Sequence, residues 1–215
     1  MYKNKPILIT FEGIEGSGKS FQAKQLYKKL KKKNIKPILT REPGGTKSAE
    51  VIRSLILKDY FFNDSKEKFD KYTDTLLYMA ARNEHIVNKI LPLLKKRRII
   101  ICDRFVDSTM AYQVYGKGVK KDFINSIHRE ILKNVKPTMT FILICNISKA
   151  MKRLNKRKQK NRYDKFSKSF YSKVQKSFIK IANSNKKKYI VLDNSKDTAE
   201  VEKVIFNKFM KLINK

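Results

Sequence analysis

The sequence predicts an α/β domain whose parallel β-sheet is covered by helices on both faces. Five apolar, β-branched runs lie along the 215 residues. Each run is continuous rather than alternating, as is typical of strands that are buried on both faces. Longer segments with helical spacing separate them, and such alternation implies right-handed βαβ crossovers. The expected strands are residues 7–11, 37–40, 99–102, 140–145 and 189–192.

The intervening segments predict the helices and one domain. We find no internal repeat and no Gly/Ser/Pro-rich linker, so we expect a single domain that spans residues 1–215. The segments long enough to be helices are 21–33, 48–58, 71–96, 122–134 and 149–183.

The charge of the chain predicts an anionic partner. Lys and Arg number 51 against 19 Asp and Glu, which gives a formal net charge of +32. One interpretation is a nucleic-acid-binding face, centred on the basic stretch 149–188. The simpler interpretation, which we favour, is a lysine-rich surface that steers small anions toward a site.

Composition also excludes several classes of protein. No apolar run approaches the ~18–20 residues of a membrane span, and the polar first six residues precede no apolar leader segment. We therefore expect a cytoplasmic protein without a membrane partner. Cys102 and Cys145 each end an apolar run and are expected to be buried. His85 and His128 lie in helical segments and form no catalytic triad or metal cluster with other residues.

A phosphate-binding loop follows the first expected strand and precedes the first helix. Glycines at this position let successive backbone N–H groups surround phosphate oxygens at a helix N-terminus. In such loops the lysine reaches the β- and γ-phosphates and the final hydroxyl ligates Mg²⁺. The octapeptide predicts a nucleoside-triphosphate site and comprises Gly13, Ile14, Glu15, Gly16, Ser17, Gly18, Lys19 and Ser20.

Three further segments could bind the phosphoryl acceptor, although each has an ordinary structural explanation. Residues 40–46 (TREPGGT) place Arg41 beside a tight turn. Tyr78 and Arg82 lie four residues apart, hence on one helix face, where a ring and a guanidinium could hold a base. Asp103 and Arg104 follow the third strand, where a carboxylate could orient Mg²⁺ and an arginine could bind phosphate.

Together these segments resemble the thymidylate kinase family. The matching pieces are residues 11–20 (FEGIEGSGKS), 40–46 (TREPGGT), 80–85 (AARNEH) and 103–113 (DRFVDSTMAYQ), in the family's order and spacing. The resemblance covers nearly the whole chain. It implies a P-loop kinase fold with a five-stranded parallel sheet and a helical lid at about residues 150–165. It also implies ATP-dependent phosphorylation of dTMP to dTDP, and a homodimer.

The resemblance assigns roles to individual residues. Lys19 would bind the ATP phosphates, while Ser20 and Asp103 would hold Mg²⁺. The residues implied to contact dTMP are Glu15, Arg41, Pro43, Tyr78, Arg82, Arg104, Thr109, Tyr112 and Gln113. Among them, Tyr78 would stack on thymine and Arg82 would reach its O4 atom. Tyr112 would exclude a ribose hydroxyl.

The resemblance also places a catalytic arginine in the lid. The variable loop positions, residues 15–17, contain no arginine, which is similar to the bacterial type of the family. Arg162 aligns best with the family's lid arginine, and Arg153 and Arg157 are secondary candidates. With Lys19 and Arg104 they form the expected catalytic set.

Four residues depart from the family's pattern, and two other functions remain open. Phe21 replaces a threonine, Tyr78 replaces a phenylalanine, and Lys158 and Asn161 replace a glycine and an aspartate in the lid. A kinase for dUMP or thymidine is one alternative. A nucleic-acid-binding NTPase that uses the basic stretch is the other, although it would not need the acceptor-side residues.

Overall fold

Five parallel strands form one sheet in the order β2-β3-β1-β4-β5. The computed structural model describes residues 5–58, 68–157, 161–195 and 198–214. Each strand overlaps the apolar run that predicted it, which confirms the α/β fold class and the five-stranded parallel sheet. The strands are β1 (Ile7–Glu12), β2 (Ile38–Arg41), β3 (Ile99–Asp103), β4 (Met139–Ile144) and β5 (Tyr189–Asp193).

The register of the strands brings their carboxyl ends to one edge of the sheet. Strand β1 lies in the centre, between β3 and β4. Asp103 pairs with Phe11 on one side and with Arg41 on the other. The phosphate-binding loop, Arg41 and Asp103 therefore start from neighbouring positions, although up to 90 residues separate them in sequence.

The helices flank the sheet on both faces, and they differ from the expected segments in several places. The expected helix 71–96 contains a π-helical turn at Ile86–Ile90. After β3, a helix that none of the expected segments covers begins at Val106 and continues through a π-helical turn at Met110–Gly116. The helices are α1 (Lys19–Lys32), α2 (Lys47–Leu57), α3 (Lys71–His85), α4 (Leu91–Lys95), α5 (Val106–Thr109), α6 (Lys121–Ile131), α7 (Ile147–Asn155), α8 (Lys168–Asn183) and α9 (Thr198–Ile213).

The prediction of one helix over residues 149–183 is wrong. Helix α7 ends at Asn155, a short 3₁₀ turn covers Arg162–Lys165, and α8 begins at Lys168. Side chains that cap the N-termini of the later elements interrupt the helix. Asn161 accepts a hydrogen bond from the Tyr163 N–H at 2.9 Å, and Ser167 accepts one from the Phe170 N–H at 3.2 Å. The expected lid thus consists of the end of α7 and this turn, while Lys158 lies outside the described residues.

Alternating strand residues supply the two halves of the core. Ile7, Ile9 and Phe11 of β1 pack against α1 and α9, while Leu8 faces a second cluster with residues of the π-helical turn after α3. Both faces are apolar because helices cover both, which explains why the strands do not alternate in polarity.

Cys102 and Cys145 are buried and unpaired by disulfides, as expected. Of the helices in the described ranges, none has the length and apolar character that crossing a membrane requires.

Candidate active site

The phosphate-binding loop curls at the end of β1 into the start of α1. Gly13 and Gly18 have φ values of 139° and 90°, which side chains rarely tolerate. A Cβ at Gly13 would lie 2.3 Å from the Leu143 carbonyl oxygen, and one at Gly18 would lie 2.2 Å from the Asn194 amide nitrogen. The backbone therefore wraps into a concave cradle of N–H groups, which suits a polyphosphate.

Lys19 lies folded over this loop. Its side chain is buried, and Nζ donates to the Ile14 carbonyl oxygen at 3.2 Å. Burial and the charge of Arg104 lower the pKa of the ammonium to about 8, while Asp103 and Glu15 oppose that shift. An incoming phosphate would raise this pKa again and favour the charged form further, so the lysine is positioned to bind an anion.

Ser20 and Asp103 line one cleft at the end of the loop. Ser20 is exposed at the start of α1, and Asp103 closes β3. The Oδ1 atom of Asp103 is buried, and no residue in the described ranges gives it a hydrogen bond. An unsatisfied carboxylate oxygen in the same cleft as a hydroxyl fits a hard cation such as Mg²⁺, which usually takes few protein ligands and completes its shell with phosphate and water.

Arg104 occupies the centre of the cleft in an unusual backbone conformation. Its φ is 71°, and its N–H donates to the Phe11 carbonyl oxygen at 2.9 Å. The guanidinium donates to Gly13 O at 2.9 Å, to Ser108 Oγ at 2.9 Å and to Glu15 at 2.7 Å. A left-handed conformation at a residue other than glycine costs of the order of 1–3 kcal/mol, and these contacts offset it.

Glu12 is a buried carboxyl that the sequence analysis did not single out. It accepts hydrogen bonds from the backbone N–H groups of Phe105 (2.7 Å) and Ser108 (3.3 Å), and from Ser108 Oγ at 2.5 Å. It therefore fixes the loop that carries Arg104. The signal in the sequence was a charged residue that ends an otherwise apolar strand. Burial and the nearby Asp107 carboxylate raise the pKa of Glu12 to about 8.

The raised pKa of Glu12 predicts how stability depends on pH. Between its ordinary value of 4.5 and about 8, the unfolded chain loses this proton and the folded chain keeps it. The free energy of unfolding should therefore fall by up to ~1.4 kcal/mol per pH unit on this account as the pH rises through that range. Denaturant titrations of the wild type and Glu12→Gln at pH 5, 6, 7 and 8 would measure the difference. Parallel pH profiles of the two proteins would contradict the assignment.

Arg82 forms the inner wall of the cleft and is almost completely buried. Nε donates to Glu42 at 2.8 Å, Nη1 to Thr109 at 2.7 Å and to His128 at 2.9 Å, and Nη2 to the Phe105 carbonyl oxygen at 3.0 Å. Four of the five N–H groups of a guanidinium are thus engaged within the described residues. One N–H remains available to a ligand.

Both histidines support this wall. Burial and the charge of Arg82 lower the pKa of His128 to about 3, so its imidazole is neutral and can accept the arginine hydrogen bond. His85 is fully buried, with Nδ1 3.0 Å from Glu42 and Nε2 2.8 Å from Thr40. The histidines lie on helices as expected, but the sequence did not reveal that they hold Glu42 and Arg82 in place.

Aromatic rings and one amide complete the inner pocket. Tyr163 meets Tyr78 and Tyr112 edge to face, with ring centroids 6.1 Å apart in each case. The Tyr112 hydroxyl donates to Glu15. Gln113 is buried, and its Nε2 atom has no hydrogen-bond partner among the residues that the structure describes. The pocket thus combines flat apolar walls with an unsatisfied amide donor, which suits a nucleobase.

The outer rim carries two arginines around Glu50. Arg41, whose side chain is 54% exposed, pairs with Glu50 at 3.0 Å. Arg53 donates to the Pro43 carbonyl oxygen at 2.6 Å and lines the same cleft. The sequence did not reveal Arg53 as a cleft residue, because an arginine on an amphipathic helix has no distinctive local signal.

The three lid arginines take different positions. Arg157 lines the cleft, and its Nη1 donates to Asp164 at 2.9 Å. Arg153 reaches the phosphate-binding loop and donates to the Gly16 carbonyl oxygen at 2.9 Å. Arg162, the arginine that the resemblance favoured, instead donates to Asp74 on α3 and does not line the cleft.

All of the residues that were expected to contact the phosphoryl acceptor line one cleft. Phe21, which replaces the threonine of the family's pattern, is 48% exposed and does not line the cleft. Lys19, Ser20 and Asp103 lie toward the phosphate-binding loop, and Arg157 lies at the lid. The expected acceptor residues that line this cleft are Glu15, Arg41, Pro43, Tyr78, Arg82, Arg104, Thr109, Tyr112 and Gln113.

Comparisons with known proteins agree with this geometry. The family model for thymidylate kinase matches residues 11–205. The chain belongs to the thymidylate kinase family. It is 38% identical to the thymidylate kinase of Mycoplasma capricolum, over 96% of this chain and 94% of that protein. It is 40% identical to the thymidylate kinase of Wolbachia sp. subsp. Brugia malayi, over 94% of this chain and 95% of that protein.

A solved structure extends the match to three dimensions. The crystal structure of thymidylate kinase from Ehrlichia chaffeensis superimposes with a TM-score of 0.74 at 32% identity, and the match covers 96% of this chain and 99% of that one. The P-loop kinase fold is therefore confirmed, and the kinase is an enzyme of nucleotide biosynthesis.

Proposed function

We propose how the residues of the cleft carry out the reaction of this family. The chain is an ATP-dependent dTMP kinase, which transfers the γ-phosphoryl group of ATP to dTMP and yields dTDP and ADP. The observation that supports the residue roles is the cleft itself, because a phosphate cradle at one end and a base-sized aromatic pocket at the other leave Arg104 between them. We propose that residues 1–215 act as one domain.

The donor side of the cleft binds ATP. Residues 13–20 surround its phosphates, and Lys19 neutralises the β- and γ-phosphates. A kinase of this family needs a divalent metal, and we propose Mg²⁺ held by Ser20 and Asp103. When bound, the ion supplies positive charge to the phosphate oxygens. Arg153, at the Gly16 carbonyl oxygen, closes the outer side of the loop.

The acceptor phosphate of dTMP lies against Arg104, with Arg41 at the rim. Its oxygen is already anionic at neutral pH, so the reaction needs no strong general base. The protein must hold two anions in line and offset their repulsion. Arg53, which lines the same part of the cleft, adds a further cation.

Thymine occupies the inner pocket. The one N–H group of Arg82 that has no partner among the described residues can donate to thymine O4. The unsatisfied amide of Gln113 can contact the base, and Thr109, which binds Arg82, lines the wall of the pocket. Tyr78 provides a stacking surface. Glu15 and Tyr112 face the sugar, where Tyr112 leaves no room for a ribose hydroxyl.

The arginine that stabilises the transferred group is Arg157. It is the lid arginine that lines the cleft, whereas Arg162 is bound to Asp74. This proposal departs from the expectation that the resemblance gave. Replacement of Arg157 by alanine tests it.

A panel of phosphoryl acceptors tests the proposed substrate roles. ADP release should be fastest with dTMP, slower with dUMP, which lacks the methyl group, and at background with dCMP, which presents an amine donor to Arg82 where thymine has an oxygen. Thymidine should fail because it offers no phosphate to Arg104. Equal turnover of dCMP would contradict the role of Arg82. ATP hydrolysis that DNA or RNA stimulates would favour the nucleic-acid NTPase instead.

We also propose a cytoplasmic homodimer that uses the outer face of α2 and α3. Val51, Leu55 and Leu76 are 66%, 39% and 48% exposed, and Val51 and Leu55 share one helix face. In size-exclusion chromatography with light scattering, the wild type should have twice the 25.3 kDa mass of one chain. The double variant Val51→Asp with Leu55→Asp should have the mass of a monomer. Val191→Asp, at a similarly exposed valine on β5, is the matched control and should stay dimeric.

A further inference from the structure

Asp74 lies on α3 with its side chain 1% exposed, and it receives three contacts from other elements. Arg162 donates to Oδ1. Lys117 Nζ and the Tyr163 hydroxyl donate to Oδ2 at 2.7 Å and 3.1 Å. Two of the three donors, Arg162 and Tyr163, belong to the 3₁₀ turn of the lid.

The same turn also fixes Arg157. Asp164, in the turn, accepts from Arg157 at 2.9 Å and from the Asn161 N–H at 3.0 Å, so the turn carries the partner of the cleft arginine. Two separate ion pairs, Asp74 with Arg162 and Asp164 with Arg157, are thus joined by the backbone of the same short turn.

The acceptor pocket lies one helical turn away. Asp74 and Tyr78 are four residues apart on α3 and share a face. The Tyr163 ring, which Asp74 holds by its hydroxyl, stands edge to face against Tyr78 and lines the cleft. A base that stacks on Tyr78 thus meets the same turn that positions Arg157.

We propose that Asp74 is a positioning residue that couples acceptor binding to the placement of Arg157. On this proposal, which rests on the proposed function, Arg162 is a tether and not a transfer residue. Neutralising Asp74 frees Arg162, Lys117 and Tyr163 together. The turn then loses its attachment to α3, and Arg157 loses its position over the cleft.

Steady-state kinetics of Asp74→Asn, Arg162→Gln and the double variant test this coupling. Each single variant should lower kcat about 10- to 100-fold and raise KM for dTMP, while KM for ATP stays within about twofold because the phosphate cradle is untouched. The double variant should be no slower than the slower single variant. Asp122→Asn removes one exposed carboxylate from α6 and should behave as the wild type.

A conservative variant and a second double-mutant cycle distinguish a positioning role of Asp74 from a catalytic role of Arg162 and from general destabilisation of the fold. Arg162→Lys keeps the ion pair to Asp74 and should retain most of kcat, whereas a transfer arginine would not be replaced by lysine at this position. Asp74→Asn combined with Arg157→Ala should be as slow as Arg157→Ala alone. If Asp74→Asn only destabilises the fold, Arg162→Lys and Arg162→Gln will have equal kcat values.

Three outcomes would overturn the proposal. They are a wild-type kcat in Asp74→Asn, effects of Asp74→Asn and Arg157→Ala that multiply, and an Arg162→Lys variant as slow as Arg162→Gln. Failure of the proposed function gives a different result. The Arg157→Ala variant would then have the wild-type kcat, whereas the double-mutant cycle of Asp74 and Arg162 would still report coupling between those two residues.

Discussion

Arg157→Ala is expected to lower kcat by about 10²- to 10³-fold or more, as loss of a transition-state arginine does in phosphoryl transfer. The guanidinium lines the cleft and pairs with Asp164, whose side chain is 1% exposed, so the ion pair orients the arginine although 40% of its own side chain is exposed. KM values for ATP and dTMP should change little, because charge that develops only in the transition state does not contribute to ground-state binding.

A coupled assay of ADP release, with dTDP quantified separately, measures this loss. Lys156→Ala removes an exposed neighbouring charge and serves as the matched control. If Arg157→Ala stays within threefold of the wild type, the transferred group is stabilised elsewhere, and Arg153 becomes the next candidate.

Arg104→Ala is expected to abolish most activity and to destabilise the fold. The guanidinium and the Glu15 carboxylate are 13% and 12% exposed, so removal of the cation leaves a largely buried anion unpaired. Breaking such a pair costs roughly 3 kcal/mol or more. Burial opposes the positive charge of Arg104, but Glu15, Tyr112 and Asp103 hold its pKa above the usual value, so it is a permanent cation.

Two further variants separate the contributions of Arg104. Arg104→Lys keeps the charge and should restore much of the free energy of unfolding, while kcat/KM stays low because lysine cannot bridge Glu15, Ser108 and a phosphate at once. Arg104→Gly should be about 1 kcal/mol more stable than Arg104→Ala, because glycine adopts a φ of 71° without strain. Arg129→Ala, at an exposed arginine of α6, is the control. Equal stability of the Gly and Ala variants would contradict the strain at this position.

The sequence predicted the strands and the phosphate-binding loop well because both are local signals. A continuous apolar run identifies a strand covered on both faces wherever it lies, and the glycines of residues 13–18 report φ angles that other residues avoid. The resemblance then supplied the acceptor residues, and the structure brings all of them to one cleft.

The helical segments were predicted less well because helix ends depend on capping. Residues 149–183 are polar and lysine-rich with helical spacing throughout, so periodicity alone could not locate the break. It is set by the Asn161 and Ser167 side chains, whose acceptors compete with the helical backbone. The sequence could not show which of these polar residues would cap.

Sequence by itself determined the fold class and the phosphate cradle, since these follow from short-range periodicity and from a motif. The resemblance added the acceptor-side arginines Arg41, Arg82 and Arg104, but not Arg53. Tertiary structure decided which lid arginine binds the Asp74 carboxylate and which one lines the phosphate-binding cleft. Arg157 and Arg162 lie five residues apart in one basic segment, and their local patterns are alike. A buried carboxylate on a distant helix, Asp74, takes one of them and leaves the other over the cleft. Long-range ion pairs of this kind depend on how α3 packs beside the lid, which no local pattern encodes.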